Sequence, residues 1–294
     1  MKVRRKTMKI LSLFDGISCG MVALERIGVP VEKYVAYEIE EDAIKVSKHN
    51  YPQIEHKGDV FAAEYKEGEF DLLIGGSPCT HWSIATAGNG NRETEASGLG
   101  WNLFCQYLRA LKEAKPKYFL YENNFSMDKK IKQAITEELG VEPIYINSSL
   151  VSAQNRKRLY WTNIPNVSVP EDKGIMLWDI VDWKDKVFRP VGKWVYSTWG
   201  KNGKNPKIKM LHDVNSPKSH TLTTKNCHAM AYYLNEDKTQ YCNLSINDLE
   251  RLQTLPIGYV DNVKIKQSSK EKAIGNGWTV DVIAHILKGV LNNG

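Results

Sequence analysis

Leu72-Leu73-Ile74-Gly75-Gly76-Ser77-Pro78-Cys79 begins as an apolar run, stops at small residues and ends on a thiol. An apolar run of strand length closed by glycines reads as a strand buried on both faces, and Gly-Gly-Ser-Pro turns the chain out of the sheet at its carboxyl end. In an open α/β sheet that edge is where ligands bind. A free cysteine is usually a small buried hydrophobe, so Cys79 acquires meaning only from its company.

Upstream, Lys9 to Phe14 (KILSLF) is a second apolar run that stops at Asp15-Gly16, and Met21 to Ile27 has apolar residues at helical spacing. Strand, glycine turn and helix open a nucleotide-binding α/β unit. Glycines allow close backbone approach, and the helix amino terminus offers unpaired N–H groups to a carboxylate. A glycine turn that merely turns is the plainer alternative. Tyr34 to Tyr37 is a strand that stops at Glu38, before a helix over Glu41 to His49. An acid ending the second strand, about twenty residues beyond the turn, suits ribose hydroxyls; an exposed helix-start acid is the bland reading. Asp59, in Lys57-Gly58-Asp59-Val60, follows a short third strand and by itself is a turn residue.

Downstream, Thr80 to Gly100 is polar and broken by Gly88, Gly90, Gly98 and Gly100, which reads as a mobile loop that closes over substrate. Trp101 to Ala114 has the spacing of a core-packing helix, and Pro116 ends it. Tyr118 to Tyr121 is the next strand and delivers Glu122-Asn123 to the edge that carries Cys79. Met127 to Leu139 reads as a helix, Ile144 to Asn147 as a strand and Arg158 to Thr162 as its hairpin partner. Gln154, Arg156 and Arg158 alternate, so a strand through them would aim all three at one face.

The 294 residues can bury a full core, large enough for one major domain with a smaller one. The net charge is +6 and unevenly spread: from Lys184 to Lys225 ten Lys/Arg face two Asp, a net +8, which leaves the remainder slightly acidic. From Pro165 on, tryptophans 178, 183, 194 and 199 and lysines with Gly-Asn turns set the character of the chain, a pattern that fits a nucleic-acid surface, with a solvated basic face as the alternative. The five cysteines (19, 79, 105, 227, 242) lack zinc or disulfide spacing, so no metal and a reducing compartment are expected. The basic residues in Met1 to Thr7 precede only a strand-length apolar run, so neither leader nor membrane anchor is expected. Ser245, with Asp248 three residues on, reads as the capped start of a helix over Leu244 to Gln253.

Taken in order, Phe14-Asp15-Gly16-Ile17-Ser18-Cys19-Gly20, Ser77-Pro78-Cys79, Glu122-Asn123 and Gln154-Asn155-Arg156-Lys157-Arg158 resemble the DNA cytosine-5 methyltransferase family. The likeness runs from Ile10 to Leu291 and lapses over residues 170–240, where that family keeps its target-recognition region. It implies a doubly wound, mostly parallel α/β sheet, the S-adenosylmethionine-dependent methyltransferase fold. The catalytic domain would be 1–165 with 245–294, and a smaller, loop-rich recognition domain would be 166–244. It further implies transfer of a methyl group from S-adenosylmethionine to carbon 5 of a cytosine flipped out of double-stranded DNA. In those terms Cys79 is the nucleophile, Glu122 and Arg158 are the groups at ring N3 and O2, and Arg156 supports them. Phe14, Asp15, Gly16, Glu38, Asp59, Pro78, Asn276 and Trp278 would hold the cofactor. In the family the last motif, Ala273 to Trp278 with an amphipathic helix over Val280 to Leu291, folds back on the first. Lys201, Lys204, Lys207 and Lys209 would grip DNA.

Two departures stand out: Asn124 replaces an aliphatic residue, and Thr80-His81-Trp82 replaces a glutamine-glycine-aromatic run. A monomer in the cytoplasm of a bacterium or phage-infected host is expected, in a restriction-modification setting. RNA cytosine methylation, a catalytically weak DNA-binding relative and a nicotinamide dehydrogenase are the competing readings. Asn226-Cys227-His228 departs from the Cys-Phe-Thr element of the RNA branch, and Phe-Asp-Gly-Ile-Ser-Cys-Gly departs from Gly-x-Gly-x-x-Gly.

Overall fold

Short apolar runs alternating with amphipathic helices must bury both faces of each strand, and the result is a helix-covered sheet. The computed structural model describes residues 7–78, 81–82, 92–181, 183–190, 214–223, 232–237 and 239–293. Seven strands, β1 (Met8–Leu13), β2 (Val31–Tyr37), β3 (Glu55–His56), β4 (Leu72–Gly75), β5 (Tyr118–Asn124), β6 (Ile144–Asn147) and β7 (Lys157–Thr162), lie in the order β3-β2-β1-β4-β5-β7-β6. β1 to β5 pair in parallel, while β7 runs antiparallel to both of its neighbours. The chain winds from β1 out to β3, then returns to β4 and winds to the other edge. Strand order therefore reverses between β1 and β4, whose register pairs Leu13 with Gly75.

Helices α1 (Cys19–Arg26), α2 (Glu41–Asn50), α3 (Gly98–Ala114) and α4 (Lys129–Leu139) follow the parallel strands. The expected mostly parallel, doubly wound sheet is thus present, and its central strands are sealed: Ile10, Leu11, Leu13, Leu72, Leu73 and Ile74 have no exposed surface. Two glycines permit this closeness. A Cβ on Gly20 would run into the tip of the Ile74 side chain, which would have to move for α1 to stay on β4, and one on Gly75 would meet the Leu13 backbone carbonyl at 2.7 Å, which cannot readily give way. On the α3 side an aromatic cluster of Trp82, Phe104, Tyr107, Tyr121 and Trp161 fills the core. The last helix, Val280–Leu287, packs on α1, with Asp281 paired to Arg26. The expected single helix to Leu291 instead gives way to 3₁₀ turns over Lys288–Asn293.

The chain divides into two compact units. The first is Met1–Asn147, Lys157–Pro170 and Val280–Gly294, and the second is Ser148–Arg156 with Glu171–Thr279. The second contains α5 (Leu177–Ile180), α6 (Ile246–Leu252), α7 (Gln267–Asn276) and a small antiparallel sheet of β8 (Arg189–Pro190), β9 (Tyr232–Leu234) and β10 (Gln240–Asn243) in the order β8-β10-β9. Residues 245–279 group here, whereas the sequence reading ends the smaller domain at 244. Bonds to the rest of the second unit explain the difference: Ser152 Oγ and the Gln154 amide donate to the Leu252 carbonyl, and Arg156 donates to the Gly275 and Gly277 carbonyls. Lys186 pairs with Asp248, and the Glu250 carboxylate accepts from the amides of Gly258, Val260 and Asp261. The Gln253 amide donates to the Ile274 and Gly277 carbonyls. Ser245 caps α6 as its spacing requires, bonded reciprocally to Asp248.

Candidate active site

The reversal between β1 and β4 opens the carboxyl edge of the sheet at the place where doubly wound folds bind ligands. The chain leaves β1 through a strained turn in which Phe14 and Ser18 hold φ of 56° and 59°, costly for residues with a side chain. Asp15 compensates from within. Its carboxylate accepts from Ser12 Oγ at 2.5 Å, from the Tyr34 hydroxyl at 2.7 Å and from Ser18 Oγ. Burial pushes its pKa above the ordinary carboxylate value, and those three hydroxyls pull it back. The network continues from Ser18 to Ser47 at 2.6 Å and on to His56 at 3.0 Å, joining the turn to α2 and β3.

Glu38 leaves the end of β2 and accepts from the Gly16 amide at 2.8 Å, so it fixes the same turn from outside. Its other oxygen accepts from the Ile39 and Glu40 amides at the start of α2. Asp59 follows β3 and caps a single 3₁₀ turn, Val60–Ala62, by accepting from the Phe61 amide at 2.9 Å. Beside these acids stand two exposed apolar side chains, Ile39 and Phe61, 69% and 50% exposed. The sequence reading passed over both. Only their exposure marks them, since a lone apolar residue in a loop carries no sequence signal.

At the end of β4, Ser77 is buried and its Oγ meets the Tyr121 hydroxyl at 2.6 Å; Asn123 of β5 donates to the Ser77 carbonyl at 3.1 Å. The turn leading through Pro78 is therefore pinned to β5. On the opposite face of β5 stands Glu122. The antiparallel register pairs Glu122 with Tyr160 and Asn124 with Arg158, which puts Glu122 and Arg158 diagonally across one face. They meet as an ion pair, Arg158 Nε to Glu122 Oε1 at 2.8 Å, with side chains 13% and 11% exposed. Asn124 fits without strain: its amide groups donate to Asn123 Oδ1, and its own Oδ1 accepts from Ser126.

With this geometry in hand, likeness to known proteins decides the family. The family model described as C-5 cytosine-specific DNA methylase matches residues 8–173. The chain belongs to that family. Among relatives, the orphan methyltransferase M.SPRI of Bacillus phage SPR is 29% identical over 94% of this chain and 61% of its own length. The orphan methyltransferase M.Rho11sI of Bacillus phage rho11s is 34% identical over 58% of this chain and 35% of its own length. The type II methyltransferase M.NgoBV of Neisseria gonorrhoeae is 30% identical over 53% of this chain and 41% of its own. The chain thus spans between about a third and three-fifths of the length of these relatives. Among solved structures, a Spodoptera frugiperda DNMT2 mutant superposes with a TM-score of 0.72 at 17% identity, covering 96% of this chain and 99% of that one. An Entamoeba histolytica methyltransferase, EhMeth, gives 0.72 at 14% identity, covering 98% and 99%. These likenesses carry the fold, a methyltransferase sheet.

For a member of this family, the structure brings Glu122 and Arg158 together but turns Arg156 elsewhere. Residues 154–156 are not part of β7, so the expected alternation of Gln154, Arg156 and Arg158 along one strand does not exist. Arg156 lies in the second unit, buried, its guanidinium donating to the carbonyls of Leu222, Gly275 and Gly277 at 2.9–3.2 Å. A buried guanidinium has five donors to satisfy, and these carbonyls take three of them. Gln154 does similar work, bonding Leu252, Gln253 and the Leu222 amide.

Asn276 is exposed and Trp278 half-buried, both within the second unit. Trp82 is fully buried in the first unit's core and donates to Glu93, so the aromatic of Thr80-His81-Trp82 packs inward. Cys79, Thr80, residues 83–91 of the expected mobile loop, and Lys201, Lys204, Lys207 and Lys209 lie outside the described residues. Among the described residues no group of three His, Cys, Asp or Glu could hold a metal, and no helix is long and apolar enough to cross a membrane.

Proposed function

We propose that this chain transfers a methyl group from S-adenosylmethionine to carbon 5 of a cytosine in double-stranded DNA, through a covalent bond to Cys79. The observation that carries the reading is the Glu122–Arg158 pair, two nearly buried opposite charges on one face of adjacent strands at the ligand-binding edge. Such a pair offers a planar ring both a carboxyl and a guanidinium.

The residues at that edge fit the cofactor. Glu38 has carboxylate lone pairs beyond its three amide bonds for ribose hydroxyls, and Asp59 can accept from an adenine amino group. Ile39 and Phe61 offer apolar surface to a purine, and in our reading the methionine end lies along the turn over Phe14, Asp15 and Gly16, which Glu38 and the Tyr37 carbonyl hold in place, and beside Pro78. Asn276 and Trp278 are kept as cofactor residues in our reading on their sequence motif alone. When bound, S-adenosylmethionine supplies an electrophilic methyl group on a sulfonium.

Carbon 5 of cytosine is a poor nucleophile until something adds at carbon 6. The Cys79 thiolate forms that C–S bond, and the electron pair of the 5,6 double bond shifts through the ring toward N3. Glu122 delivers a proton to N3, and the Arg158 guanidinium stabilises charge at O2, leaving carbon 5 enamine-like and reactive. Once the methyl group is on, a solvent base takes the carbon 5 proton, the freed electron pair re-forms the 5,6 double bond and expels the Cys79 thiolate from carbon 6, and N3 returns its proton to Glu122. A paired base is out of reach of Cys79, so the target must leave the stack, and the +8 segment from Lys184 to Lys225 grips the duplex meanwhile.

Bisulfite sequencing of DNA from methylation-free bacteria expressing the chain tests this reading. Protected cytosines at one recurring sequence are expected with the wild type and none with Cys79→Ser. Unprotected DNA in cells making folded protein contradicts it, as does transfer of labelled methyl to RNA alone.

A further inference from the structure

We infer that Arg109 is a positioning residue for the adenosine half of the cofactor site, an inference that rests on the function proposed above. Arg109 sits on α3, a helix that the sequence marks only as core packing. Its guanidinium forks onto the loop after β3: Nη2 donates to the Val60 carbonyl at 3.0 Å and Nη1 to the Ala63 carbonyl at 2.9 Å. Gln106 and Glu113 of the same helix hold the guanidinium from behind, at 3.0 and 3.3 Å.

The loop needs such a hold. Val60–Ala62 is one 3₁₀ turn, marginal on its own, and it carries the exposed Phe61 directly after Asp59. The guanidinium also lies over the Tyr65 ring, 5.1 Å from its centroid, and Tyr65 packs edge-on against Tyr37 at 5.9 Å. Tyr37 immediately precedes Glu38. One side chain therefore braces both acidic loops, Asp59 with Phe61 on one side and Glu38 on the other. Only a planar fork can serve two carbonyls and an aromatic face together, so lysine is a poor substitute.

The test uses full-length wild type, Arg109→Met, Arg109→Lys, Asp59→Ala and the Arg109→Met/Asp59→Ala double variant, with calorimetric titration of S-adenosylhomocysteine and of S-inosylhomocysteine, which lacks the adenine amino group. Urea unfolding verifies that each variant is folded. The wild type should prefer the adenosyl compound. Arg109→Met should weaken that compound about tenfold, or about 1.4 kcal/mol, and narrow the preference, while kcat at saturating cofactor stays near wild type. Arg109→Lys should fall between. Because Arg109 acts through Asp59, the two losses should combine to less than their product in the double variant.

A folded Arg109→Met or Arg109→Lys protein with wild-type affinity and wild-type preference overturns the positioning role. So does a double variant whose losses multiply. If the wild type binds neither compound, the cofactor reading itself falls and takes this inference with it. Binding by the wild type with no change in the variants removes only the role of Arg109.

Discussion

Replacing Arg158 by methionine keeps the aliphatic stem and removes the guanidinium that stands 2.8 Å from Glu122. At that separation the gross attraction is about 6 kcal/mol for an effective dielectric of 20. Desolvation of both ions offsets most of it, so the pair contributes little net stability. Removing one partner is different, because the remaining charge is left nearly buried and uncompensated. That costs about 3–5 kcal/mol for a fully buried pair, and the residual exposure here brings the expectation to about 2–3 kcal/mol. Adding Glu122→Gln should then recover about 1–2 kcal/mol, since the stranded charge is gone. Urea unfolding of the four proteins measures this. The cycle is read as differences only, because a chain of two compact units need not unfold in one step. Methyl transfer should be lost in both single variants and should not return in the double, which separates stability from chemistry. A coupling energy below about 0.5 kcal/mol would show that the two side chains do not meet in solution, and the shared ring-binding pocket would have no basis.

Glu38→Ala should weaken S-adenosylmethionine by about 1.5–3 kcal/mol, the scale of a hydrogen bond to a charged group, and calorimetry with unchanged affinity would reduce Glu38 to a turn anchor. Arg156→Met strands three buried carbonyls and should lower stability by about 3 kcal/mol or more; an unmoved urea midpoint would contradict its structural role. Replacing Lys201, Lys204, Lys207 and Lys209 with alanine should flatten the salt dependence of DNA binding by about 0.9 log units of slope for each phosphate that is no longer neutralised, with cofactor affinity untouched. A wild-type slope would assign the grip to other residues.

The sheet was legible because burial on both faces leaves a strong trace: ILSL, LLIG and YFLY are apolar for the same reason that they are strands. The order of glycine turn and acidic strand ends likewise put Gly16, Glu38 and Glu122 at the carboxyl ends of β1, β2 and β5, where the structure has them. What alternation does not encode is where a strand begins. Gln154 and Arg156 keep the two-residue spacing of Arg158, yet β7 starts only at Lys157, and their polar groups close on backbone carbonyls far along the chain. Partners separated by up to 121 residues leave no local pattern. Asp15 is a similar case, since its motif position says nothing of the three hydroxyls that turn it inward. Trp82 reads as a loop aromatic and proves to be core, because tertiary packing decides the fate of an isolated large side chain. The bonds that group residues 245–279 with the second unit, Lys186 to Asp248 and Gln154 to Leu252, are likewise between residues too far apart in sequence to leave a local pattern.

The covalent route through Cys79 is the claim on which the rest depends. Duplex DNA synthesised with 5-fluorocytosine in place of cytosine requires no knowledge of the recognised sequence, and fluorine cannot leave carbon 5 as the proton does. Incubated with S-adenosylmethionine, the wild type should form a complex that survives denaturation and carries the mass of DNA and one methyl group on the Cys79-linked base, while Cys79→Ser should form none. Wild type that methylates ordinary DNA yet yields no such complex on the fluorinated duplex would contradict the account.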